Sequence, residues 1–130
     1  MAEPCILLIE DNADDAFLAS RIIRKIRAEK IVVVRDGEEA TDLLLSMAED
    51  GSCQLITLVF LDLKLPKMNG LDVLQAIRNN PKLQALPVLV LTSSDNDADQ
   101  ERCRGLGVID YLFKPMTVDR LERALDKLKS

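Results

Sequence analysis

Histidine and tryptophan are absent from this chain, and cysteine occurs three times, at Cys5, Cys53 and Cys103, with no CxxC pair. Without histidine, neither a Ser–His nor a Cys–His catalytic pair can be assembled. An odd number of widely spaced cysteines argues against a disulfide framework, and with no histidine beside them a zinc site is excluded as well. They are expected to be packing residues, with Cys53, in a long loop, open to solvent. No hydrophobic run is long enough to span a membrane. The opening Met1-Ala2-Glu3-Pro4 lacks the basic start of a signal peptide. A cytoplasmic protein with no membrane partner is expected. The P-loop pattern GxxxxGK[ST] is missing too, and the chain leaves no room for a substrate-capping domain. Acids outnumber bases to leave a net charge of −5. That sign does not suit direct contact with nucleic acid, whose phosphates call for a basic surface. It suits a divalent cation or a basic protein patch.

What remains is an ordinary soluble composition, 48% hydrophobic and 30% charged, over 130 residues. A chain of this size buries a core as one domain without disulfide or metal staples. Short apolar runs predict strands at Cys5–Ile9, Ile31–Val34, Leu58–Leu63, Pro87–Leu91 and Val108–Phe113. Between and after them, helical spacing predicts helices over Ala13–Ala28, Glu38–Ala48, Gly70–Arg78, Asp97–Gly105 and Thr117–Lys129. The last of these carries Val118, Leu121, Ala124, Leu125 and Leu128 on one stripe, with Thr117 as its cap. Strands alternating with helices predict an α/β fold, a parallel sheet covered on both faces. Phe17, Phe60, Phe113 and the methionines are expected in the core. The Glu49–Thr57 connection is the one overlong loop.

The stretch "LVFLDLKLPKMNG", residues 58–70, opens on a run of four apolar residues that ends at Asp62. Asp62 either starts a turn or caps the next helix, as Asp commonly does, or it stands at the end of a buried strand for its chemistry. Ligands of open parallel sheets bind outside the carboxyl ends of the strands. The residues ending the other strands are therefore informative. The first ends in Glu10-Asp11, the fourth in Thr92-Ser93 and the fifth in Phe113-Lys114, whereas Arg35-Asp36-Gly37 reads as an ordinary turn. Glu10-Asp11 taken alone is equally a solvated helix start, and Asp14-Asp15 and Asp95–Asp99 read the same way. If the first, third and fourth strands are neighbours, three carboxylates, a hydroxyl and an ammonium meet on one rim. Crowded carboxylates take up a proton or a cation, and hard oxygens alone select Mg²⁺, with Mn²⁺ as its substitute. With Lys114 and the Thr92 hydroxyl engaging phosphoryl oxygens, such a rim suits phosphoryl transfer, with Asp62 as nucleophile.

Glu10-Asp11-Asn12, Asp62 with Leu65-Pro66 and Asn69-Gly70, Thr92-Ser93 and Lys114-Pro115 together resemble the receiver domain of two-component response regulators. The resemblance spans essentially residues 1–130 as a single receiver domain with no output domain. It implies a flavodoxin-like, doubly wound five-stranded sheet in the order 2-1-3-4-5 with five helices. It implies that Asp62 is the phosphoacceptor and that Thr92 and Lys114 contact the phosphoryl group. Mg²⁺ would be held by Asp11, by Asp62, by Glu10 mainly through water, and by the backbone carbonyl of Lys64. Tyr111, otherwise a half-buried strand aromatic, matches the aromatic switch position beside Thr92, and the Lys114–Pro115 bond is expected to be cis. Glu10 departs from the more usual Asp, and Lys64 stands where side chains modulate dephosphorylation. The long Glu49–Thr57 connection, "DLKLPKMNG" and "LTSSDN" are similar to the stand-alone regulators that partner phytochrome-type histidine kinases.

The function implied is a phosphorylation-activated switch, not an enzyme beyond slow autophosphatase turnover. A sensor histidine kinase or phosphotransfer protein would be the donor. Output would run by protein contact through the face of the fourth helix, fifth strand and fifth helix, to an effector or to a second copy in a homodimer. Two alternatives are an unphosphorylated docking module of the same fold and a small Mg²⁺-dependent phosphohydrolase.

Overall fold

Alternation with a period of two sorts the strand residues onto two faces, and each face meets its own helices. Ile6, Leu8, Leu58, Phe60, Leu89 and Leu91 point to one side, where Ala16, Ala19 and Ile23 meet Leu121, Ala124 and Leu125. Leu7, Ile9, Val59, Leu61, Val88 and Val90 point to the other, against Leu44, Ala48, Val73, Leu74, Ile77 and Cys103. Both faces being covered explains why the strands read as continuous apolar runs. The computed structural model describes residues 3–129, Lys129 by its backbone alone. Met1 and Ala2, on which the signal-peptide reading partly rests, lie outside these residues.

In chain order the elements are β1 Cys5–Ile9, α1 Ala13–Arg24, β2 Lys30–Val34, α2 Gly37–Asp50, β3 Ile56–Leu61, α3 Gly70–Asn79, β4 Val88–Thr92, α4 Asp97–Gly105, β5 Tyr111–Phe113 and α5 Val118–Asp126. The strands form one parallel sheet in the order β2-β1-β3-β4-β5. This is the doubly wound, flavodoxin-like arrangement, and its strand order reverses between β1 and β3. Helix α1 packs on α5 across one face, while α2, α3 and α4 cover the other. Among the described residues no helix is long and apolar enough to cross a membrane.

Several boundaries differ from expectation. The Glu49–Thr57 loop is largely structured: α2 runs to Asp50, Gly51 turns the chain at φ 82°, a 3₁₀ turn covers Ser52–Leu55, and β3 already starts at Ile56. Cys53 lies in that turn and is buried, its thiol 3.7 Å from the Lys82 carbonyl, so the expected exposure is wrong. β3 consequently ends at Leu61, and Asp62 is the first residue beyond it. Helix α1 stops at Arg24, where the Lys25 and Ile26 amides turn back three residues to the Ile22 and Ile23 carbonyls and tighten the last turn. β5 is shorter than expected, although the Ile109 amide and the Asp110 carbonyl before it already bond to β4, and the Asp110 carboxylate takes the Tyr111 amide at its start. Phe60 is fully buried, but Phe17 is 63% and Phe113 40% exposed, so those two are not core residues. Leu128 falls in a 3₁₀ turn after α5 and is likewise exposed. Asp36 is more than a turn residue: its side chain accepts the Glu39 amide and caps α2.

The β3–α3 loop is held down by two glycines. The Gly70 amide donates to the Leu63 carbonyl at 2.9 Å, and a Cβ there would overlap the Asp62 carbonyl oxygen and the Leu63 Cα. Gly37, at the start of α2, faces the Met68 backbone in the same way. Gly70→Ala is therefore expected to destabilise the fold by about 2–3 kcal/mol, because backbone on both sides must move. Gly105→Ala, where nothing lies within 4 Å, should stay within about 0.5 kcal/mol of neutral. Urea unfolding of the two variants beside the parent checks both values.

Candidate functional site

Glu10 and Asp62 follow directly on β1 and β3, the two central strands between which the sheet reverses. Their backbones complete the ladder: the Glu10 amide donates to the Val34 carbonyl at 2.8 Å and the Asp62 amide to the Ile9 carbonyl at 3.0 Å. Each side chain thus leaves a rigid frame, and each is almost fully buried, at 2% and 4% exposure. Asp11 stands beside them at the surface. Carboxylate oxygens of Glu10, Asp11 and Asp62 all lie within 4.8 Å of one another.

Lys114 comes from the far side of the sheet. Its amide is held by the Thr92 carbonyl at 2.9 Å, and the Lys114–Pro115 peptide bond is cis, as the resemblance implied. Its ammonium reaches Glu10 Oε1 at 2.6 Å, Asp62 Oδ2 at 2.8 Å and Asp15 Oδ2 at 2.8 Å. The second oxygens are also committed. Glu10 Oε2 accepts from the Asn12 amide at 3.2 Å, and Asp62 Oδ1 accepts from the Lys64 amide at 3.1 Å. The turn role of Asp62 and its place in the charged cluster are therefore both real, one oxygen serving each. The helix after it is capped by Asn69 instead.

Burial pushes the Glu10 carboxyl up to about 7; the Lys114 hydrogen bond opposes this and the Asp62 charge adds to it. Burial alone would lower the Lys114 ammonium, but its hydrogen bonds to Asp15, Asp62 and Glu10 win and raise it above the ordinary lysine range. Lys114 thus stays charged throughout the physiological range. The three clustered carboxylates together with Asp15 exceed the single charge of Lys114, so the rim keeps room for a cation. The donor set, carboxylate oxygens without imidazole or thiolate, fits Mg²⁺ or Mn²⁺.

Thr92 ends β4, fully buried, and its hydroxyl accepts the Ser94 amide at 3.2 Å. The Tyr111 hydroxyl donates to the Ser94 carbonyl at 2.8 Å. Both expected switch residues therefore grip Ser94, a link that the spacing did not reveal. Ser93 is exposed in a cleft of about 320 Å³ beside Lys114, Pro115 and Met116, while Ser94 is the buried one. Ser94 Oγ in turn contacts Asp99 of α4 at 3.2 Å. Asp15 was also missed, because a second acid in the first turn of a helix is most often a solvated dipole partner.

This constellation, on a 2-1-3-4-5 sheet, is that of a response regulator receiver domain. The chain belongs to that family: the response regulator receiver domain matches residues 6–126. Among curated proteins it is 39% identical over 125 residues to the probable methanogenesis regulatory protein FilR2 of Methanothrix harundinacea, covering 95% of this chain and 80% of that protein. It is 33% identical over 126 residues to response regulator Rcp1 of Synechocystis sp., covering 96% and 86%. Its structural neighbours include phytochrome response regulators. The bacteriophytochrome response regulator AtBRR superposes with a TM-score of 0.81 at 36% identity, over 99% of this chain and 94% of that one. The Mn²⁺-bound form of Rcp1 gives 0.78 at 33% identity over 95% and 90%, and the phosphorylated cyanobacterial phytochrome response regulator RcpA gives 0.78 at 32% over 98% and 92%.

The raised Glu10 sets a pH dependence. A carboxyl with a pKa near 7 must lose its proton before it can serve a cation, so Mg²⁺ affinity should rise about tenfold between about pH 6 and about pH 8 and then level off. In cation-free protein the same shift weakens folding as the pH climbs from 4.5 to about 7, where the folded state holds the proton more tightly than the unfolded chain. Titration calorimetry across this range, with Glu10→Gln as the variant that loses the dependence, tests the assignment.

Proposed function

We propose that this receiver domain accepts a phosphoryl group on Asp62 from the phosphohistidine of a histidine kinase or phosphotransfer protein, in a Mg²⁺-dependent reaction. The observation that carries this reading is the Lys114 ammonium held at 2.8 Å from Asp62 Oδ2 while Glu10 and Asp11 crowd the same carboxylate. The buried frame of β3 presents a nucleophile whose charge is already offset. In the transfer the attacking Asp62 oxygen would stand opposite the P–N bond that breaks. The Asp62 oxygen bonds to phosphorus, the P–N pair returns to the imidazole, and Lys114 neutralises charge on the transferred oxygens. Glu10, Asp11, Asp62 and the Lys64 carbonyl would hold Mg²⁺, which supplies further charge neutralisation at the phosphoryl oxygens. Turnover would be limited to slow autodephosphorylation, and the site of action would be the cytoplasm.

The added charge would draw the Thr92 hydroxyl from the Ser94 amide towards the phosphoryl group. Ser94 also holds Tyr111 and Asp99, so its release bears on β5 and α4 together. That biases a two-state element, the requirement for a switch. The exposed Phe113, packed edge-to-face on Tyr111 with ring centroids 5.6 Å apart, supports the α4–β5–α5 face as the contact surface for an effector or a second copy.

Acetyl phosphate provides the test. Intact mass should show one phosphoryl group added with Mg²⁺ and none with chelator, and Asp62→Asn should gain nothing. Lys114→Ala should slow the reaction by about tenfold or more. Mg²⁺-independent labelling, or labelling that survives Asp62→Asn, would refute the reading; no labelling together with no Mg²⁺ binding would favour the docking-module alternative.

A further inference from the structure

An ammonium has three N–H donors, and three carboxylates take those of Lys114. Glu10 and Asp62 belong to the cluster that could hold a cation; Asp15 does not. Asp15 is the third residue of α1, whose cap is Asn12. An acid at that position ordinarily reaches back to the cap residue's amide. Here the Asn12 amide is already held by Glu10 Oε2. Favourable interaction with the helix dipole asks only for negative charge in the first turn, which Asp14 also supplies. Asp15 instead spans 99 positions in sequence to meet Lys114 and lines the cleft that opens there.

We infer that Asp15 is a positioning residue, holding the Lys114 ammonium beside Asp62 when Glu10 and Asp62 turn to other partners. The inference rests on the phosphoryl-transfer reading above and goes beyond it to a residue outside the cation cluster. A cation drawn in by Glu10, Asp11 and Asp62 competes with Lys114 for two of its three partners. Lysine has a long stem with much rotamer freedom, and an ammonium left without fixed partners must be ordered again during transfer. With Asp15 as a third anchor, an incoming phosphoryl group meets the charge already in place. Asp15 is 38% exposed against 15% for Lys114, so solvent screens the pair and its effect on rate is moderate.

Asp15→Asn keeps the shape and removes the charge, and Asp15→Glu keeps the charge. Two readouts separate the roles, with circular dichroism confirming that each variant folds. The first is the ¹⁵N-ammonium resonance of Lys114 in the presence of Mg²⁺, visible only when hydrogen bonds shield it from exchange with water. It should persist in the parent and in Asp15→Glu and vanish in Asp15→Asn. The second is the rate of labelling by acetyl phosphate at saturating Mg²⁺. Asp15→Asn should slow it by about fivefold, and the same change in a Lys114→Gln chain should alter it by less than about twofold. A resonance undiminished in Asp15→Asn overturns the inference. Equal slowing in the Lys114→Gln background also overturns it, since Asp15 would then act without the lysine. Failure of the parent protein to be labelled at all refutes the phosphoryl-transfer reading instead, and the ammonium resonance still decides whether Asp15 anchors Lys114.

Discussion

Four carboxylates, from Glu10, Asp11, Asp15 and Asp62, meet at one end of the sheet, and the Lys114 ammonium is what lets three of them stay there. Two of those three are almost fully buried, where an unpaired charge is costly. Removing one member of such a group leaves the others uncompensated, a larger penalty than the loss of a surface pair. The cluster therefore ties α1 and the loop after β5 to the paired ends of β1 and β3. It also keeps an excess of negative charge, and that excess gives the site its capacity for a divalent cation.

The same charge balance makes the site sensitive to what enters it. Any cation or phosphoryl group must take partners away from Lys114 or add one to it. The consequences pass through groups that are already paired. On the β4 side, Thr92 and Tyr111 hold opposite ends of the Ser94 peptide unit, and the Ser94 side chain meets Asp99. Helix α4 buries Cys103 alone, so little apolar area resists its displacement. A charge change at Asp62 thus acts near the least anchored helix of the fold. The strongly packed interior of the sheet keeps Asp62 itself fixed.

Glycine has a structural part in this. Gly70 and Gly37 let the loop after Asp62 lie against α3 and α2 without a Cβ in the way. The Asn69-Gly70 pair is thereby explained by packing: Asn69 caps α3 through the Asp72 amide, and Gly70 admits the Asp62 and Leu63 backbone. The turn that follows Asp62 and the start of the next helix are one unit.

Much of this was legible in the residues themselves. Apolar runs marked the strands and helical spacing the helices, because a doubly covered sheet and an amphipathic helix each impose a period that side chains must obey. Asp62, Glu10, Asp11, Thr92 and Lys114 stood out because polar residues ending buried strands need a reason. The structured path from Asp50 to Ile56, the burial of Cys53 and the exposure of Phe17 and Phe113 were not legible. They depend on which neighbour each residue meets across the chain, and no local pattern encodes that. Asp15 and Ser94 belong to the same class. As sequence they are an acid in a helix's first turn and a serine in a loop. Only the packing of α1 against the loop after β5, and of β5 beside β4, turned them into partners of Lys114 and of Tyr111. The sequence alone determined the kind of fold and the chemistry gathered at its rim. The tertiary structure decided which charges share a proton donor, because a hydrogen bond needs contact within about 3 Å and only folding brings residues 15, 62 and 114 that close.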